Sequence, residues 1–207
     1  MKYRLLALSG LAVSLAMGAA ACSSGGASTS APPAASTSAP MASTSAPAAA
    51  DFGTGCSSVP RSGAGSFSGM ATAPVATAAS ANPVLSTLVT AVQKAGLVDT
   101  LNAAPGITVF APDNSAFAKI PASTLDGVLA NKAELTKILT YHVVSGRYTP
   151  AQLASGKALK TLEGGMITPA LKDGIYTING ANVVCGNVQT ANATVYIISS
   201  VLMPSSS

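Results

Sequence analysis

The sequence predicts an α+β domain held behind a long N-terminal approach, and three observations carry that reading. Apolar residues recur at helical spacing between positions 82 and 139, behind recognisable helix starts. Later, from position 141 to 203, short β-branched runs are separated by turn signals. Residues 51–204 have the length of one domain, and helices gathered ahead of antiparallel strands favour α+β over an alternating parallel fold.

Asn82 as N-cap and Pro83 at the first helical position start a helix. Val84, Leu85, Leu88, Val89 and Val92 form its apolar face, and Gly96 closes it. ITVFAP (107–112) is a buried strand; Pro112 ends it, Asp113 caps the next turn and Phe117 returns an aromatic ring to the core. Asn131 with Glu134 three residues on opens a second helix that buries Leu135, Ile138 and Leu139. YHVV (141–144) reads as an alternating strand, with Tyr141 and Val143 on one face and His142 and Val144 on the other. Thr149 and Pro150 begin a short third helix. GMITPAL, IYTIN, NVVCG and VYIISSVLM supply the remaining strands, with KDG (172–174) as a hairpin turn. Val195, Ile197, Val201 and Leu202 are the core residues of the last one. Residues 51–81 read as a lead-in segment: GAGSFSG (63–69) has Ser68 where a dinucleotide loop needs its third glycine, and no strand precedes it.

The N-terminus points outside the cell. MKYR gives two positive charges, an uncharged apolar run follows, and small residues take over at Gly18, the layout of an export signal over residues 1–21. The apolar run is shorter and more interrupted than a spanning helix of about 20 residues requires. Ala19 and Ala21 satisfy an ordinary signal peptidase, yet Cys22 directly after them resembles the lipobox of bacterial lipoproteins, in which the cysteine is acylated. Ala19 stands where that box usually carries Leu. The chain has three cysteines, so lipidation of Cys22 leaves Cys56 and Cys185 as an even pair, either bridged or as two separate thiols.

Residues 22–50 form a tether. The stretch from Ser23 to Ala50 has no charged or aromatic residue and repeats ASTSAP three times, too little apolar surface to offset its conformational entropy. A flexible chain of that length spans on the order of 30 Å root-mean-square. Its Ser/Thr/Pro composition makes Thr29, Thr37 and Thr44 candidate O-glycosylation sites, with an unmodified linker as the alternative. Residues 205–207 are a short tail.

TVFAPDNSAF (108–117), ILTYHVV (138–144) and VYIISSVLMP (195–204) resemble, in order and spacing, the signature boxes and closing strand of the fasciclin (FAS1) domain. With NPVLSTLVTAVQKAGLVDTL and INGANVV the resemblance extends over residues 82–204. PASTLDGVL, ILTYHVVSG, NVVCGNV and TANATVYIISSVLMP are similar to the mycobacterial fasciclin-type secreted antigens and a related surface lipoprotein. The resemblance implies an antiparallel β-sandwich or barrel-like core flanked by several helices, and a disulfide between Cys56 and Cys185. It also makes Tyr141 and His142 the pair implicated in receptor adhesion in animal members; the competing reading packs Tyr141 and hydrogen-bonds His142 inside the fold. The closing strand departs from the family pattern, with Tyr196 and Ser199 where His and Asp are common.

Charge and composition exclude other classes. Once Lys2 and Arg4 leave with the signal, nine Lys and Arg face seven Asp and Glu, and no basic cluster is interleaved with aromatics, so nucleic acid is not an expected partner. One His, two paired cysteines and scattered carboxylates give no catalytic or metal constellation, and no G-x-S-x-G elbow is present. The expectation is a non-enzymatic monomer without cofactor, lipid-anchored to the outer face of the cell membrane or released from it. There it offers the domain to a host or envelope protein or glycan; the alternative is a carrier of small molecules or lipids.

Overall fold

The computed structural model describes residues 50–204. The chain enters by a 3-10 turn, Thr54–Ser58, and then forms α1 (Phe67–Ala71), α2 (Val75–Ser80), α3 (Ser86–Ala95) and α4 (Val98–Ala103). The first strand, β1 (Ile107–Pro112), is followed by α5 (Asn114–Ala118), α6 (Ala122–Ala130) and α7 (Lys132–Tyr141). Then come β2 (Val143–Ser145), α8 (Pro150–Ala154), β3 (Leu159–Lys160), β4 (Met166–Ile167), β5 (Pro169–Lys172), β6 (Ile175–Ile178), β7 (Ala181–Gln189) and β8 (Ala193–Ile198). This is α+β, as the sequence predicts.

Local chemistry sets the helix ends. Asn82 Oδ1 accepts from Val84 N–H, a 3-10 turn over Pro83–Leu85 leads into α3, and Gly96 closes it in the left-handed region at φ 73°. Asp113 caps α5, and Asn131 caps α7 through Glu134 N–H. Thr149 and Gln152 form a full capping box on α8. Two expectations need correction. The lead-in over 51–81 is part of the folded core rather than an approach to it: Ser66 caps α1, and Met70, Val75 and Ala78 are core residues. The strand expected over 141–144 begins only at Val143, because α7 continues through Tyr141 and His142 keeps right-handed helical geometry as its C-cap.

Six strands pair in the order β2-β1-β8-β7-β6-β5. The pairing is antiparallel except between β1 and β8, which run parallel over six residues from Ile107↔Ala193 to Pro112↔Ile198. Both are buried at every position, which is why ITVFAP and ATVYII carry no polar face. GMITPAL, read as one strand, is two: β4 pairs with β3 and β5 with β6, and Thr168 between them bonds Asn179. β3 joins β2 through the Val144↔Thr161 bridge. The circuit therefore runs from β2 through the sheet to β5, into β4, across to β3 and back to β2. The six-stranded sheet curls as a half-barrel, with the two-stranded β3-β4 sheet at its open side, as the barrel-like expectation describes.

The two faces of β1 and β8 divide the core. Ile107, Val109, Ala111, Val195 and Ile197 face a layer built from α1, α2, α3, α5 and α7. Phe110, Tyr196 and Ile198 face the barrel interior, closed by Leu153 of α8, Leu159, Ile167 and Ile178. The Phe110 and Tyr196 rings lie 5.9 Å apart, and Tyr196 Oη donates to Tyr148 O at 2.8 Å. Full burial of each such aromatic contributes about 2–3 kcal/mol.

Candidate functional site

The last turn of α7 places Tyr141 and His142 side by side but sends them to different surroundings. His142 N–H bonds to Leu139 O in a tightened 3-10 turn, so Ile138 O is left without its α-helical partner. The imidazole supplies the missing donor: Nδ1 lies 2.8 Å from Ile138 O. On its other side, Nε2 accepts from Leu202 N–H at 2.9 Å. A backbone N–H can only donate, so the ring is neutral and its proton sits on Nδ1. His142 is 2% exposed, and burial lowers its pKa to about 4, against the opposing Ile138 bond. The ring thus fastens the closing segment to the end of α7.

Tyr141 turns into the barrel core and is 4% exposed. Its hydroxyl donates to Met166 O at 3.0 Å and accepts from Asn179 Nδ2 at 3.0 Å. Asn179 in turn holds Thr168 N–H at 2.7 Å, so one residue ties α7 to the switch between β4 and β5. Asn179 has φ 47°, a left-handed position that Asn tolerates, and Gly180 completes the turn. The sequence reading missed Asn179; the Asn-Gly pair between two strands was the available signal.

From these positions the Tyr141 and His142 side chains are almost wholly buried, and their polar atoms are taken up by hydrogen bonds within the fold. Above them the surface is different. Lys137, Glu163, Met166 and Pro204 line an open groove of about 320 Å³ that has Tyr141 at its wall. Asn179, Ser200 and Met203 line a second groove of about 320 Å³ beside Leu202. Met166 is 54% exposed and Met203 49%. The Lys137–Glu163 pair, 3.8 Å apart with a largely exposed lysine, adds little to stability.

Cys56 and Cys185 form a disulfide with Cα atoms 4.8 Å apart. Phe52 adds a two-way backbone bridge to Gly186, whose missing Cβ makes room for the Phe52 ring. The start of the described chain is therefore pinned to β7. Asn192, the first residue of an Asn-Ala-Thr sequon, has its amide fully occupied. Nδ2 donates to Leu101, Asn102 and Ala104 carbonyls, and Oδ1 accepts from Val75 N–H.

Between the helical layer and the sheet lies a cavity of about 160 Å³. Its cause is compositional: α2 presents Ala76, Ala78 and Ala79 where larger side chains would fill the space against α3, β1 and β8. Among the described residues, no three His, Cys, Asp or Glu side chains lie together as a metal site. No described helix is long and apolar enough to cross a membrane. Cys22, Thr29, Thr37, Thr44, the signal over 1–21, nearly all of the 22–50 tether and the 205–207 tail lie outside the described residues.

Residues 83–204 match the family model of the fasciclin domain. Immunogenic protein MPB70 of Mycobacterium bovis is 47% identical over 160 residues, covering 73% of this chain and 81% of that protein. Cell surface glycolipoprotein MPB83 of the same species is 46% identical over 165 residues, covering 75% and 74%. Among solved structures, a FAS1 domain pair from the insect cell adhesion molecule Fasciclin I shares the fold, with TM-score 0.54 and 21% identity over 64% of this chain and 51% of that one. The boxes at 108–117, 138–144 and 195–204 all fall within the matched span, and the chain belongs to the fasciclin (FAS1) domain family, alongside its mycobacterial antigens.

Proposed function

We propose that this protein is an extracytoplasmic surface lipoprotein that presents its fasciclin domain for adhesion to a protein or glycan of the host or envelope. The observation that carries the reading is 46% identity over 165 residues to a protein named as a cell surface glycolipoprotein. Cys22 after a small-residue cleavage region supplies the anchor, and the Ser/Thr/Pro tether supplies reach, with Thr29, Thr37 and Thr44 as its glycan sites. A single acyl chain binds membranes only marginally, so stable attachment calls for more than one chain on that cysteine. The disulfide ties Cys56, six residues after the tether, to β7, which suits a domain displayed from that tether.

The contact face in this reading is the surface above Tyr141 and His142. Met166 and Met203 touch the partner, while Tyr141 and His142 act from beneath as positioning residues by holding Met166 and Leu202. Methionines suit such a face because their flexible thioethers adapt to varied apolar partners. The test is binding of the folded Met166→Asp, Met203→Asp double variant to host cells or extracellular matrix. At least a tenfold loss is expected; unchanged binding with an intact fold removes this face from the proposal.

A further inference from the structure

We propose that the cavity between α2, α3, β1 and β8 is a binding site for a small uncharged apolar molecule, an aliphatic chain end or single ring of about six to eight carbons. Its volume of about 160 Å³ matches the dry, apolar core cavities of about 150 Å³ that take up benzene. The inner wall includes Val75, Leu88, Val92, Val109, Val188 and Val195, which give ordered water no partners.

The polar side chains that do reach the lining are already committed. Asn82 caps the 3-10 turn and contacts Met70 Sδ at 3.6 Å. Thr190 exchanges two hydrogen bonds with Ala193, and both nitrogens of His142 are occupied. Charge sets the ligand class. Among the described residues no Asp, Glu, Lys or Arg lines the cavity, so a carboxylate or phosphate head would lose hydration without gaining a counter-ion there. Exposed Thr77, Ser80, Gln93 and Thr100 belong to the same lining, so the cavity meets solvent along a neutral polar rim. That rim suits a hydroxyl or ester end. The carrier expectation, drawn from composition alone, thereby acquires a location and a ligand class, independent of the adhesive face.

The test uses the full chain with Cys22→Ser, so that no acyl group is attached, prepared without detergent. It is titrated with 1-octanol and, separately, with octanoate while methyl resonances are followed. Saturable shifts at Val92, Val109 and Val195 are expected for 1-octanol, with octanoate at least tenfold weaker. Ala78→Leu, which fills the cavity, should abolish them. If that variant does not fold, Ala79→Leu at the half-buried wall supplies the same block. No saturable shift, equal binding of octanoate, or undiminished shifts in a folded filled variant would overturn the proposal.

Discussion

His142 makes stability depend on pH in a way that can be isolated, because it is the only histidine in the chain. Its pKa is lowered from an ordinary 6.5 to about 4 by burial. The unfolded chain therefore binds the proton first, and stability from the neutral ring is complete above pH 6.5 and lost as pH falls towards 4. From pH 7.5 to pH 5 that loss is about 2 kcal/mol, since one pKa unit corresponds to about 1.4 kcal/mol. For a domain of this size the melting temperature should drop by about 4–8 °C. His142→Leu removes both hydrogen bonds, leaving Ile138 O and Leu202 N–H buried without partners. It should cost about 2–5 kcal/mol at pH 7.5, and should flatten the dependence between pH 7.5 and 5. Urea unfolding followed by circular dichroism at several pH values reads both effects. A flat wild-type profile, or a slope that survives in His142→Leu, refutes the assignment.

Three further outcomes follow from the geometry. Cys56→Ala with Cys185→Ala opens a loop of 129 residues and should lower unfolding free energy by about 5 kcal/mol in the chain-entropy model, measured by chemical denaturation against the oxidised protein. Asn192→Ala strips partners from three carbonyls and the Val75 N–H; a loss of about 2–4 kcal/mol is expected, and a change under about 0.5 kcal/mol would show that water replaces the amide. Tyr141→Phe keeps the packing but frees Met166 O and Asn179 Nδ2, and should cost about 1–2 kcal/mol while accelerating amide exchange around Met166.

What the sequence disclosed was chemistry that acts locally. Asn82, Pro83 and Gly96 bracket the first long helix, Asn131 and Glu134 start α7, and Thr149 and Pro150 open α8, each signal lying next to the helix end it sets. The short helices α1 and α2 escaped because FSGMA and VATAAS, at five and six residues, are less than two turns long, so Phe67 with Met70 and Val75 with Ala78 give one i, i+3 pair each and no period. The boundary at Tyr141 was misread because Val143 and Val144 favour strand while the preceding turn is held helical by the Ile138–His142 contact, which propensity does not register. Parallel pairing of β1 with β8 brings together residues more than 80 positions apart, and nothing near either strand encodes it.

For the site, residue identity was legible but orientation was not. Tyr141 and His142 were singled out, yet the fold buries both, while Met166 and Met203, which the sequence analysis quoted only as parts of strands, are about half exposed. The cavity was invisible for a simpler reason: it is defined by what Ala76, Ala78 and Ala79 do not fill. Cysteine arithmetic fared better, since Cys56 and Cys185 are joined.

The central claim is that a fasciclin domain is displayed at the cell surface from an acylated cysteine. Intact-mass and peptide mass spectrometry of the protein extracted from native membranes measures this most directly. The account predicts a mature chain beginning at Cys22 with acyl groups on that residue, together with the Cys56–Cys185 bond. A mature N-terminus elsewhere, or a Cys22 without lipid in the membrane fraction, contradicts it.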